Sequence, residues 1–265
     1  MLQAIQYFRP MNYGWSNPHL FLCLDGNRYV VKFMSNPQGK RVLANELISF
    51  RLAQLLELPV PRGEIIYVSQ ELIDSTPALQ YLGVEVGPHY GSYFIDFTTK
   101  NLSKADISQA MNISKAADMI LFDYWLNNND RHLLRPEGEN NVLLSKGVKT
   151  KLWLIDHANI LAGPNWTIES ISGHQNHIFT YWGELYQRFV PYIDNSNPFA
   201  QALNRIESLE LWQIMESASI IPMEWGVTDH EKVALSNYLN IRKNLLATFI
   251  QPLRVHFPVW ESYFI

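Results

Sequence analysis

Along the first third of the chain, apolar residues come in short runs separated by turn-forming residues. Leu20-Phe21-Leu22-Cys23-Leu24 is one such run and Tyr29-Val30-Val31-Lys32-Phe33 is the next, with Asp25-Gly26-Asn27 between them. An Asp-Gly pair between two apolar runs predicts a β-hairpin, because glycine takes up the turn's positive φ without steric cost. Pro37 and Gly39 then mark a loop. Residues 41–57 predict a helix that is apolar nearly all round and therefore buried. Pro59 and Pro61 end it, since proline cannot continue a helix. Glu64 to Val68 reads as a further strand.

From about residue 105 the pattern turns helical. Residues 105–126 predict one helix, and the polar run Asn127-Asn128-Asn129-Asp130 stops it. A second hairpin follows: Val142-Leu143-Leu144, a turn over 145–150, and Leu152-Trp153-Leu154-Ile155. Beyond Gly163-Pro164 the chain reads as helical to its end, notably over 199–218 and 229–250. Strands lead, one long helix intervenes, a hairpin interrupts and helices finish. That order predicts an α+β architecture in two lobes, a strand-rich N-lobe over residues 1–98 and a helical C-lobe over 99–265. Trp125, Trp153, Trp182, Trp212 and Trp225 are expected as core anchors.

Composition narrows the class. A chain of 265 residues can bury the core of one large domain or two packed lobes. With 47% hydrophobic and only 17% charged residues, it is expected to fold. The formal net charge is −4 and no dense Lys/Arg run occurs, so no nucleic-acid partner is expected. A single cysteine, Cys23, cannot form an internal disulfide, which points to a reducing compartment and cytoplasmic localisation. The start of the chain lacks a basic, apolar signal pattern. No run approaches eighteen apolar residues, so no membrane span is expected.

The candidate chemistry gathers around the second hairpin. Asn141 directly precedes its first strand and Asp156 directly follows its second. Paired strands lie ~5 Å apart, so the turn alone brings these two oxygen donors to one open end. Such a pair suits a hard cation such as Mg²⁺, which takes few protein ligands and leaves sites for phosphate oxygens. Asp130 lies in the loop that ends the long helix, where a carboxylate can orient a hydroxyl and accept its proton. Lys32 stands among apolar neighbours on a strand and needs an anion; nucleotide phosphate and Glu46 are both candidates. Glu46 shares a helical face with Leu43, Phe50 and Ala53, so it needs a partner too.

The segments Tyr-Val-Val-Lys32, Glu46, Asn-Asp130-Arg-His, Asn141-Val-Leu-Leu and Leu-Ile-Asp156-His together resemble the HipA-like kinase family. They are similar, more distantly, to phosphoinositide lipid kinases with their Asp-Arg-His loop. The resemblance implies a bilobal protein-kinase-like fold and an ATP- and Mg²⁺-dependent phosphotransferase acting on a protein or small-molecule hydroxyl. It also implies residue roles. Lys32 contacts the α and β phosphates, Asp130 is the catalytic base, Asn141 and Asp156 bind metal, and Glu46 matches the helix-C glutamate. The chain departs from the ordinary kinase pattern in its phosphate-covering loop, which has no G-x-G-x-x-G. Gly14, Ser16 and Asn17 are what precede the first hairpin, and their backbone N–H groups are candidates for that cover. Arg135 to Glu139 reads as a surface insertion, leaving Asn140 beside Asn141 as an alternative metal ligand. The adenine-contacting linker is placed at Phe94 to Thr98.

Two other classes compete. A metal-dependent hydrolase would use Asp130, His132, Asp156, His157, His174 and His177 as a cluster around two metals. A catalytically silent nucleotide-binding pseudokinase would account for the missing glycine loop.

Overall fold

The computed structural model describes residues 1–11, 14–96, 98–99, 102–131, 141–146, 149–178 and 182–260. His132, the Arg135–Glu139 insertion, Asn140 and Phe97 of the expected linker lie outside the described residues.

The N-terminal part closes into a five-stranded barrel. Its strands are β1 (Leu2–Pro10), β2 (His19–Cys23), β3 (Arg28–Lys32), β4 (Gly63–Val68) and β5 (Gly87–Tyr93), in the spatial order β1-β2-β3-β5-β4. β2 and β3 form the expected hairpin, with His19 opposite Val31 and Leu22 opposite Arg28. Gly26 in its turn has φ +78°. Phe21, Cys23, Tyr29, Val31 and Ile66 fill the barrel. Burial pushes the Cys23 thiol up to about 12, so it behaves as a core residue.

Two strands carry weak sequence signals. β1 is largely solvent-facing, and β5 contains two glycines and a proline, which are poor strand formers. Barrel closure overrides that propensity. A Cβ at Gly91 would lie 2.4 Å from Ile66 Cγ1, so only glycine lets β5 approach β4 there.

The expected first helix is α1 (Arg41–Leu55), packed on β4 and β5. Two short helices, α2 (Gln70–Asp74) and α3 (Pro77–Tyr81), link β4 to β5. The second sheet is β6 (Thr98–Thr99), β7 (Val142–Ser145) and β8 (Lys151–Leu154), in that order.

Two helices expected to be continuous are broken. Residues 105–126 divide into α4 (Lys104–Ser108), a 3-10 turn and α5 (Ala116–Leu126). Between them the Met111 N–H donates to the Thr150 carbonyl, and the Asn112 amide exchanges two hydrogen bonds with the Leu152 backbone. Pairing with the second hairpin thus wins over helix continuation. After α6 (Ile168–His174) and α7 (Glu184–Phe189), residues 199–218 divide into α8 (Ala200–Glu207) and α9 (Leu211–Ser219). There the buried Lys243 ammonium takes the Leu209 carbonyl, and Glu210 opens α9 through a capping box with Gln213. The last long helix, α10 (Asp229–Phe249), starts from a Thr228–Glu231 capping box.

α5 lies at the centre of the helical part, with Met119 to Leu126 all buried. Trp125 and Trp225 are buried anchors, and Trp153 and Trp182 are half-buried. Trp212 is not an anchor: α9 turns Ile214, Ser217 and Ala218 inward and leaves Trp212 61% exposed. Trp166 is an anchor instead, 1% exposed. Among the described residues, no helix is long and apolar enough to cross a membrane.

Candidate functional site

A cleft between the barrel and the second sheet gathers most of the residues singled out from the sequence. Gly14, Ser16, Lys32, Glu46, Phe94, Asn141 and Asp156 all line it. It holds about 830 Å³ of empty space, counting its mouth.

Lys32 ends β3 opposite Tyr90 of β5, and strand alternation puts it on the same cleft-facing side as Val30. Its ammonium donates to Glu46 of α1 and, at 2.8 Å, to Asp156 Oδ1. Burial opposes that charge, yet the Asp156 and Glu46 carboxylates outweigh it and hold Lys32 above its ordinary pKa. Burial likewise opposes the charged form of Asp156, but Lys32 prevails and brings the carboxyl down to about 2. Glu46 is raised, because its burial and the nearby Asp156 charge exceed what the shared lysine returns. Asp156 keeps 27% of its side chain open, whereas Glu46 keeps 5%. Glu46 is therefore the internal partner and Asp156 the one that reaches the cleft.

Asn141 and Asp156 meet as the hairpin predicts. Val142 pairs with Leu154, and the Ile155 N–H donates to the Asn141 carbonyl at 3.0 Å. Both residues have left-handed backbone, φ +49° and +56°. Asn and Asp tolerate that region better than other non-glycine residues. The Asn141 NH₂ donates to the Asp130 carbonyl at 2.8 Å and to Asp130 Oδ2 at 3.4 Å, so its amide oxygen is the group left to meet a cation. An amide oxygen and a partly open carboxylate are hard donors that fit Mg²⁺ or Mn²⁺ completed by ligand oxygens.

Asp130 reaches this site through Asn141; it is not itself in the cleft wall. α5 ends at Asn127, whose left-handed φ of +57° turns the chain into the loop. Within the loop the Asp130 N–H donates to Asn128 Oδ1, and Asp130 Oδ2 accepts from Asn159 Nδ2 at 2.6 Å. The carboxylate is thus held by amides from both sides of the hairpin.

Gly14 has φ +84°, and the Ser16 hydroxyl is buried against the cleft with no hydrogen-bond partner among the described residues. Phe94 directly follows β5, its N–H bound to the Arg28 carbonyl and its ring 4.9 Å from the Arg28 guanidinium.

Several residues built into the site carry sequence signals that reading by motif passes over. Asp123 is a carboxylate inside the apolar run of α5, and a buried acid requires partners. It binds Arg131, Asn128 and Tyr186. Asn159 follows the Asp156-His157-Ala158 segment, and its adjacency to Asp156 is the only sequence hint of its role. Asn45 of α1, one residue before Glu46, accepts from Trp166 Nε1 and donates to the Ala158 carbonyl at 2.7 Å. Only the contacts themselves disclose it.

Among the described residues, which do not include His132, the hydrolase cluster is not assembled: no three His, Cys, Asp or Glu side chains among them group so as to hold a metal. His157 is buried between Arg131 and Phe122, and burial together with the Arg131 charge keeps it well below the usual histidine pKa. His174 and His177 lie away from it, their Nδ1 atoms at the Ser170 carbonyl and Asn127 Oδ1.

Comparison with known proteins bears on family and fold. A model of the HipA-like kinase family matches residues 4–252. No curated protein matches the sequence. Among solved structures, the chain is similar to a Helicobacter pylori proinflammatory kinase, CtkA. The two are 12% identical with a TM-score of 0.61, covering 95% of this chain and 96% of that one. A Golgi casein kinase is 12% identical with a TM-score of 0.49, covering 95% and 74%. The likeness to CtkA shows that the fold is protein-kinase-like, with a strand-rich N-terminal part and a helical C-terminal part.

Proposed function

Since the chain belongs to the HipA-like kinase family, we propose that it transfers the γ-phosphoryl group of ATP, with Mg²⁺, to a hydroxyl of a protein or small molecule. One observation carries this reading: Lys32 joins Glu46 of α1 and Asp156 of the second hairpin in one cleft-facing cluster, beside Asn141. Three separate segments converge on a buried cation that has one partner open to a ligand. A core ion pair needs no such second, partly open carboxylate.

In this reading residues 1–98 form the nucleotide-binding lobe and 99–265 the lobe with the catalytic loop and metal-binding hairpin. Gly14 and Ser16 cover the phosphates, and the unpartnered Ser16 hydroxyl gains an acceptor there. Phe94 walls the base. The Lys32 ammonium neutralises α- and β-phosphate oxygens, steadied by Glu46. Asn141 and Asp156 hold the divalent cation, which shields phosphate charge when bound. Asp130 accepts the proton of the acceptor hydroxyl, whose oxygen bonds to the γ-phosphorus as the bond to the β-phosphate oxygen breaks and ADP leaves. Asn159 and Asn141 hold that carboxylate in one orientation.

The test is Asp130→Asn, assayed for ADP formation and for ATP binding. Turnover should fall by about 10²-fold or more while ATP·Mg²⁺ still raises Tm. Undiminished ADP formation would remove Asp130 from the mechanism. ATP·Mg²⁺ stabilising the unaltered protein with no product on any hydroxyl acceptor would instead favour the pseudokinase.

A further inference from the structure

The Asp123–Arg131 pair stands apart from the transfer chemistry, yet it touches Asn141 itself and the Ile155 carbonyl next to Asp156. Arg131 is 1% exposed, and its guanidinium is fully committed. Nε and Nη2 take the two Asp123 carboxylate oxygens at 2.6 and 2.9 Å. Nη1 donates to the Asn141 carbonyl and, at 3.3 Å, to the Ile155 carbonyl. Nη2 also meets His157 Nε2 at 3.1 Å. One planar fork therefore grips the residue that leads each strand into the cleft, on both sides of the hairpin's open end.

Those grips fall where the backbone is least able to hold itself. Asn141 and Asp156 are both left-handed, a conformation that persists only where surroundings over-determine it. Beyond the Val142–Leu154 pair a single backbone bond, Ile155 N–H to the Asn141 carbonyl, continues the β7–β8 pairing, and it does not reach Asp156. Asp123 in turn is anchored on α5 by the Tyr186 hydroxyl at 2.7 Å and the Asn128 amide at 2.8 Å.

We propose that Arg131, clamped by Asp123, is a positioning residue that sets the spacing of Asn141 and Asp156 for a divalent cation. The proposal rests on the reading of those two residues as metal ligands. Lysine cannot replace arginine here, because a single ammonium cannot span Asp123, two carbonyls and an imidazole at once.

The experiment is titration of the full chain with Mn²⁺ in the presence of ADP, read by electron paramagnetic resonance. Arg131→Lys and Tyr186→Phe are compared with the unaltered protein, alongside ADP binding without metal. Arg131→Lys should weaken Mn²⁺ about tenfold or more, and Tyr186→Phe, which loosens Asp123 from a distance, roughly two- to threefold. ADP binding without metal should stay unchanged in both. Unchanged Mn²⁺ affinity in a folded Arg131→Lys protein overturns the clamp, as does a metal-free ADP affinity that falls in step, since that marks general damage. If Arg131→Lys does not fold, Tyr186→Phe decides by the same shift or its absence. Failure of the unaltered protein to bind Mn²⁺ with ADP overturns the metal-ligand reading and the clamp together. Normal binding with unaffected variants overturns the clamp alone.

Discussion

The two hairpins place functional groups by opposite means. In β2–β3, Lys32 stands within the ladder, opposite Tyr90 of the neighbouring strand, so regular hydrogen bonding fixes where its stem points. In β7–β8, Asn141 and Asp156 stand just beyond the ladder in left-handed backbone, held by Lys32 of β3 and by Asp130 and Arg131 of the loop after α5. The first hairpin buries its charge among core groups and ties it to stability. The second keeps its carboxylate 27% open, in the place proposed for a ligand. Substitutions in the two hairpins should therefore separate stability from activity.

The largest effect is expected at Asp156. Asp156→Ala removes the proposed metal ligand, and phosphoryl transfer should fall on the order of 10³-fold, equivalent to roughly 4 kcal/mol. Lys32 keeps Glu46 as partner and no buried charge is stranded, so Tm should fall less than in Lys32→Met. A large fall in Tm would erase the contrast by making the second hairpin as structural as the first. The carboxyl titrates down to about 2 in the folded protein against ~3.9 unfolded, so its ionised form favours folding above pH ~4. That contribution is lost as pH falls from about 4 toward 2.

Lys32→Met should cost stability as well as turnover. It leaves Glu46 buried and unpaired beside Asp156, a loss of about 3 kcal/mol by urea unfolding. The double variant Lys32→Met/Glu46→Gln no longer strands that charge and should regain most of the stability while staying inactive. If it regains nothing, packing of the lysine stem rather than its charge holds this part of the barrel together.

What the sequence discloses follows the same division. The Asp25-Gly26 turn and its flanking apolar runs mark the first hairpin, and the apolar helix that carries Glu46 is equally plain. The two lobes, the two hairpins and the separate pairs Lys32–Glu46 and Asn141–Asp156 are legible from local patterns, while the joining of the two pairs through Lys32 and Asp156 is implied only by the family resemblance. β5 is not, because its glycines are demanded by the approach of Ile66 from a neighbouring strand. Nor is the break between α4 and α5, where Asn112 pairs with Leu152, forty residues away. Asn159 and Asn45 carry no motif, since their roles exist only in contacts between distant segments. Legibility fails where long-range hydrogen bonds replace local propensity.

Acid should weaken both regions through buried histidines. His89 in the barrel accepts the Met34 N–H on Nδ1 and gives Nε2–H to the Glu85 carbonyl, and burial lowers its pKa to about 4. The unfolded chain takes up a proton near pH 6.5, which the folded imidazole refuses. Stability is thus whole above about 6.5 and falls below it, by up to ~1.4 kcal/mol per pH unit from this group, or about 2 kcal/mol at pH 5. Urea unfolding of His89→Gln should show a shallower slope between pH 5 and 6.5 than the unaltered protein. An identical slope would shift the acid sensitivity to His157, beside the second hairpin.

The smallest expected effect is at the tip of the first hairpin. Gly26 sits at φ +78°, and a Cβ built there meets nothing within 4 Å, so Gly26→Ala tests backbone strain without packing. An L-residue pays about 1 kcal/mol for that conformation, worth roughly 2 °C in Tm for a chain of this length. The turn touches no cleft residue, and the ladder behind it keeps Lys32 in register, so turnover should stay within about twofold. A much larger drop in turnover would mean that the Asp25-Gly26 turn, rather than the strand pairing, sets the position of Lys32. The first hairpin would then share the second's dependence on its end geometry.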